Sequence, residues 1–310
     1  MQVQNKSPIF IVGCPRSGTT LLQQMLDAHP AVAIAPETHF MQYFWQRQEY
    51  YGNLLKDDNY HHLIEDLIAH PEFSEMGLNV CEFSKAAWGG ERSYQALFRL
   101  LLEQFASIRG VEIIGEKTPN HVLYIPTLKK FFPSARFIHI VRDPRAVVNS
   151  WRSVPWSTGS IAGDAQAWKG HVSAPRRCSS LLMSSLFTLH YEQLVMAPEE
   201  NLRSLCQFLN LEFLPEMLTY HRKESQSVNV TREPWKANSV KPVNQNALTR
   251  WQRELSEQMV TEIEAVAWFE MRRFGYKTQT NLRQLVPAAM LTTIHNQKKR
   301  ISMRISYYIT

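Results

Sequence analysis

The sequence predicts an α/β fold: three layers, a mostly parallel central sheet flanked by helices, with helical insertions. Three observations predict it. Short apolar runs of strand length recur along the chain, most clearly at 8–12 and 135–141. Amphipathic stretches of helical period separate them. The chain has 310 residues, 44% apolar and 20% charged, which is enough apolar mass for a sizeable core.

The elements follow in order. Residues 8–12 read as a buried strand that stops at Gly13. Ser17 stands where a helix N-cap belongs, and Leu21, Leu22, Met25 and Leu26 repeat on one helical face until Pro30. A second strand is expected at 31–34 and an aromatic-rich helix at 37–51. Residues 52–110 read as mostly helical with Pro and Gly breaks. Strands are expected at 112–115, 135–141 and 185–190, and helices at 124–132, from Pro144, and at 198–209. One long amphipathic helix is expected over 248–274.

Charge and cysteine usage exclude several classes. Residues 277–310 contain six basic and no acidic residues, and so account for the whole net charge of +6. The remainder is neutral, which argues against nucleic-acid binding. No apolar run approaches the roughly 20 residues of a spanning helix, and no secretory signal is visible. Cys14, Cys81, Cys178 and Cys206 are far apart, so free thiols in a cytoplasmic protein are expected. No HExxH or His/Cys cluster appears, and no metal is expected. The domain is taken as 1–276 and a basic tail as 277–310. Ile301, Met303, Ile305, Tyr307 and Ile309 alternate as a strand would. Such an end suits peripheral contact with an anionic membrane or an acidic partner. A solvated terminus is the plainer alternative.

The first strand–helix junction carries chemistry. Gly13-Cys14-Pro15-Arg16-Ser17-Gly18-Thr19-Thr20 has the glycine spacing of a P-loop, whose backbone N–H groups and helix N-terminus wrap an anion. Thr19 stands where that loop's lysine belongs, and Arg16 supplies charge earlier. The loop therefore fits an anion but fits nucleoside triphosphate hydrolysis poorly.

Pro-Arg-Ser-Gly-Thr-Thr after an apolar strand resembles the 5′-phosphosulfate loop of sulfotransferases that use 3′-phosphoadenosine 5′-phosphosulfate (PAPS). Val141-Arg142-Asp143-Pro144-Arg145, with Ser150 eight residues after Arg142, resembles their 3′-phosphate motif. Four further segments resemble the tyrosylprotein-sulfotransferase branch and its bacterial relatives. Pro36-Glu37-Thr38 matches the segment of its catalytic Glu, and Gly115-Glu116-Lys117-Thr118-Pro119 that of its catalytic Lys. Tyr191-Glu192-Gln193-Leu194 matches its nucleotide-contacting Tyr, and Lys241-Pro242-Val243-Asn244 with Trp251 its late cofactor-closing segment.

The resemblance implies a P-loop-type domain that binds PAPS and releases PAP. Arg16, Ser17, Gly18, Thr19 and Thr20 would hold the 5′ end, with Arg16 also assisting catalysis. Arg142 and Ser150 would hold the 3′-phosphate, and Tyr191 and Lys241 would complete the donor site. Glu37 would be the general base, its pKa raised toward neutral by partial burial. Lys117 would stabilise the leaving group. The implied acceptor is a protein or peptide tyrosine, or else a hydroxyl of a small metabolite, lipid or carbohydrate. A homodimer is allowed for. By residue type alone, Glu37 could instead complement a helix dipole, and Lys117 could be a solvated loop lysine. Tyr191 could be core, and Lys241 a surface lysine. His39 and His121 are rival bases. The small-molecule enzymes carry a His two residues after their Lys, where Pro119 stands here. The tyrosylprotein branch carries an Arg where His39 stands, and a Ser where Trp235 stands. Ser227, Thr231 and Ser239 are candidate substitutes for that serine.

Overall fold

The computed structural model describes residues 7–222, 228 and 230–281. Five strands form one sheet in the order β2-β3-β1-β4-β5: β1 is Ile9–Gly13, β2 Val32–Ala35, β3 Ile113–Lys117, β4 Arg136–Val141 and β5 Leu186–His190. β1 runs parallel to both β3 and β4, and β2 parallel to β3. Every residue of β1 and β2 is buried, as expected of strands covered on both faces. All five strands lie within one or two residues of their expected positions.

The chain divides into two compact units, Met1–Ile140 with Cys178–Val243, and Val141–Arg177 with Asn244–Thr310. In the first, Phe10 of β1 stacks on Phe137 at 5.5 Å between ring centroids and meets Phe132 at 5.5 Å. Phe98, on the helix Tyr94–Arg109, stacks on Phe40 at 4.4 Å. That helix is capped by Ser93, whose side chain accepts from Ala96 N, and ended by left-handed Gly110. In the second unit, Ala146, Val148, Ala165, Trp251, Leu255, Val260 and Ile263 form a separate apolar cluster.

Three expected elements differ. The helix over 37–51 reduces to Phe40–Tyr43, a 3₁₀ turn Trp45–Arg47, and Gln48–Tyr51. His39 has a left-handed φ of 50°, so no helix can run back through it to Glu37. The helix over 248–274 is two helices, Asn246–Glu254 and Glu257–Arg273. Between them Leu255 is extended and joins the apolar cluster, while Ser256 caps the second helix through Met259 N. Finally, Gly18 rather than Ser17 occupies the cap position of α1 (Thr19–Asp27). The alternating segment 301–309 and Ser227 lie outside the described residues. No helix among the described residues is long and apolar enough to cross a membrane.

Candidate active site

The carboxyl ends of β1, β2 and β3 bring three predicted segments together. Ile11 of β1 pairs in register with Lys117, and Ala35 of β2 with Glu116. Two residues beyond Ile11 the Gly13–Thr20 loop begins, and two residues beyond Ala35 stands Glu37. Ligands of open parallel sheets bind at this edge.

The loop is built for close approach. A Cβ on Gly13 would lie 2.5 Å from Ile140 O. Gly18 has φ 95°, and a Cβ there would lie 2.2 Å from Cδ2 of Tyr191. The Tyr191 ring therefore packs directly on Gly18, which only glycine permits. Arg16 is also left-handed, with φ 70°. Ser17 is fully buried, and its Oγ has no hydrogen-bond partner among the described residues. Thr19 is buried, Thr20 half-buried, and no side chain caps α1. A buried, unsatisfied hydroxyl beside an uncapped helix N-terminus suits an anion that accepts hydrogen bonds.

Glu37 and Lys117 meet directly. The Lys117 ammonium, 1% exposed at the end of β3, donates to Glu37 Oε1. Lys117 is thus no solvated loop lysine, and Glu37 heads no helix. Sequence reasoning missed the next partner: Lys236 Nζ lies 2.7 Å from the same Glu37 oxygen and 2.6 Å from Glu233 Oε2. Nothing in residue type or spacing marks Lys236, because its reach to Glu37 spans about two-thirds of the chain. His39 Nε2 stands 3.6 Å from Glu37 Oε2.

These charges overturn the expected pKa of Glu37. Burial pushes its carboxyl up, but the ammonium groups of Lys117 and Lys236 outweigh burial and hold it well below the carboxylate range. Lys117 moves oppositely. Burial pulls its ammonium down and Glu37 only partly restores it, leaving it at about 8. Lys236 is pulled down by burial too, but Glu37 and Glu233 together raise it.

A second buried network fixes this pair in place. Glu116, fully buried, accepts from Thr38 N at 3.1 Å, from Thr38 Oγ1 at 2.9 Å, and from Thr118 Oγ1. His121 Nδ1 stands 3.0 Å from Glu116 Oε2, while its Nε2 accepts from Met41 N at 3.4 Å. Both ring nitrogens are committed, so His121 is a structural partner. Burial raises the Glu116 carboxyl, but His121 and these hydrogen bonds together lower it. Glu37 adjoins Thr38, and Lys117 adjoins Glu116, so the buried network clamps both ends of the pair.

The remaining predicted residues stand as follows. Tyr191 begins the helix Tyr191–Met196. Lys241 is exposed, and its carbonyl accepts from Tyr220 OH at 2.5 Å. Thr231 is exposed, while Ser239 Oγ donates to Lys236 O at 2.7 Å. In the second unit, Arg142 donates to Ala247 O at 2.9 Å, and its own carbonyl accepts from Trp168 Nε1 at 3.0 Å. Ser150 is half-buried on the helix Pro144–Trp151. Next to them Arg145 donates to Asp143 Oδ2 at 2.6 Å and to Glu264 Oε1 at 2.7 Å, and its guanidinium lies 4.2 Å from the Trp251 ring centroid. Glu264 also accepts from the backbone of Gln279 and Thr280.

Comparison with known proteins agrees with this architecture. The chain is 28% identical over 281 residues to protein-tyrosine sulfotransferase A of Caenorhabditis elegans, covering 88% of this chain and 68% of that one. It is 28% identical over 286 residues to protein-tyrosine sulfotransferase 1 of Danio rerio, covering 88% and 73%. In fold it is similar to the sulfotransferase domain from the curacin biosynthetic pathway, with TM-score 0.60 at 21% identity, covering 88% of this chain and 98% of that one. A model of the sulfotransferase family matches residues 8–215, about two-thirds of the sequence. The chain belongs to the sulfotransferase family.

Proposed function

We propose that the protein transfers a sulfuryl group from PAPS to a tyrosine hydroxyl of a protein or peptide. The observation that carries this reading is the ion pair of half-buried Glu37 with buried Lys117, at the carboxyl ends of the strands from which the Gly13–Thr20 loop also leaves. PAPS supplies the sulfuryl group. The loop amides, Arg16, the unsatisfied Ser17 hydroxyl, Gly18, Thr19 and Thr20 hold the 5′ end, with Tyr191 packed beneath the turn. Arg142 and Ser150 hold the 3′-phosphate and Lys241 the rest of the donor, on the resemblance of their segments.

Transfer in line needs placement and charge stabilisation more than covalent help. Glu37 takes the acceptor proton as the new S–O bond forms. Lys117 donates to the oxygen left on the phosphate as the old S–O bond breaks. A carboxylate held by two ammonium groups is a weak base. Anionic donor oxygens compete for those ammonium groups, which raises the basicity of Glu37 when the donor is in place.

The tyrosine acceptor is supported by the names of the relatives and by the Glu37 and Lys117 segments. One observation favours a small-molecule or carbohydrate hydroxyl instead. The residue after Glu37-Thr38 is His39, whose ring turns to Glu37 and Gln42, at the position where the tyrosylprotein branch carries an arginine.

Titration with PAP and ADP tests the donor, and ³⁵S transfer from labelled PAPS tests the acceptor. PAP should bind at least tenfold more tightly than ADP, and Arg142→Ala should collapse the gap. Glu37→Gln should keep PAP binding and lose turnover. Equal PAP and ADP affinities, or full activity in Glu37→Gln, would reject the reading.

A further inference from the structure

Two ammonium groups, not one, share the Glu37 carboxylate, and the second is not required to neutralise it. Lys236 has its own partner in Glu233, three residues back, at 2.6 Å. A lysine needing only an ion pair would be satisfied there. Instead its Nζ, on a residue only 7% exposed, also stands 2.7 Å from Glu37 Oε1. Its backbone is fastened for that reach. Lys236 N donates to Glu233 O at 2.8 Å, Ser239 Oγ holds Lys236 O, and Tyr220 OH ties down the end of the segment at Lys241 O. The 3₁₀ segment Pro234–Val240 packs against α1, the helix that follows the anion loop.

We infer that Lys236 is a positioning residue of the transfer reaction: with Lys117 it orients the Glu37 carboxylate and sets the pH below which that carboxylate stops accepting protons. This rests on Glu37 being the base. The charged and titratable groups facing Glu37 come from three directions. Lys117 comes from β3, and Lys236 and behind it Glu233 from the 3₁₀ segment. His39 comes from the turn before Phe40–Tyr43, with Tyr43 and Glu72 beyond it. Without Lys236, Glu37 and Glu233 lose the cation between them. Glu37 then keeps Lys117 and the His39 ring, and its carboxylate is both less stabilised and freer to rotate.

The test reads Glu37 directly, without donor. In protein labelled with ¹³C at glutamate carboxyls, the Glu37 signal is identified by its loss in Glu37→Gln. Lys236→Met should move its titration midpoint upward by about one to three pH units, the usual effect of one adjacent cation. Lys236→Arg should restore it. With PAPS and acceptor, the acidic limb of the kcat/KM profile should shift upward in Lys236→Met and return in Lys236→Arg. Should the methionine variant not fold, Lys236→Gln is measured in its place. A folded variant with an unmoved carboxyl signal and an unmoved limb overturns the inference. Wild-type protein without any sulfuryl transfer would instead sink the proposed function, while the carboxyl titration would still decide what Lys236 does to Glu37.

Discussion

Lys117 shows how one residue's environment sets its chemistry. Its ammonium is buried at a strand end, and burial works against charge there more strongly than Glu37 works for it. With a pKa of about 8, the group loses its proton in an accessible range, and a neutral amine stabilises a leaving oxyanion far less. In the free enzyme, kcat/KM should therefore fall as pH rises through about 8. Lys117→Arg, whose guanidinium keeps its proton, should run more slowly but without that alkaline limb. A wild-type profile flat to about pH 9.5 would show that protonated Lys117 is not needed. Residue type alone could not separate this lysine from a surface one. The Gly-Glu-Lys-Thr-Pro segment picked it out by resemblance. Its neighbour Lys236 lies in no such segment, and only the folded chain identifies it.

At the scale of elements, β3 and the turn after β2 are joined by one buried carboxylate. Glu116 accepts from Thr38 N and Oγ1, from Thr118, and pairs with His121. Phe40, two residues beyond Thr38, is pinned by stacking on Phe98. The Glu37 turn is thus held from both sides, which explains why 37–39 forms no helix despite its aromatic-rich continuation. Glu116→Ala would leave several buried groups unpaired, and should cost about 3–5 kcal/mol of stability. Chemical denaturation checks this: a change below about 1 kcal/mol would mean the clamp is not structural. Activity should fall with it, because both Glu37 and Lys117 adjoin clamped residues. The broken helix at Leu255–Ser256 follows the same logic. Amphipathic period continued across it, but a serine cap and a core position for Leu255 were the stronger local demands.

At the scale of the whole molecule, the low-lying carboxylates set acid stability. Burial raises Glu37, Glu72 and Glu116, but their partners lower all three below the ordinary value of 4.5, Glu72 to about 2. Since each is lower folded than unfolded, the unfolded chain binds protons first as pH falls. The stability they contribute is complete above the unfolded value, and is lost as pH falls through the folded ones. The denaturation midpoint should therefore drop between about pH 5 and pH 2, after a smaller decline from about pH 7 to pH 5, where the unfolded chain takes up the protons that burial keeps off His171 and His190. A midpoint unchanged down to about pH 2.5 would contradict this. By itself the sequence determined the strands and the sheet's parallel character, through apolar runs and their alternation with helical stretches. It marked the Gly13–Thr20 loop by glycine spacing, and the segments bearing Glu37 and Lys117 only by their resemblance to a known family. Tertiary structure alone decided that Lys236 reaches Glu37, that Glu116 fastens the turn, that Tyr191 lies on Gly18, and that Glu37 is held acidic rather than basic. Each depends on charges and rings brought within a few ångströms from distant parts of the chain, where Coulomb energy and steric exclusion act over distance in space and not along the sequence.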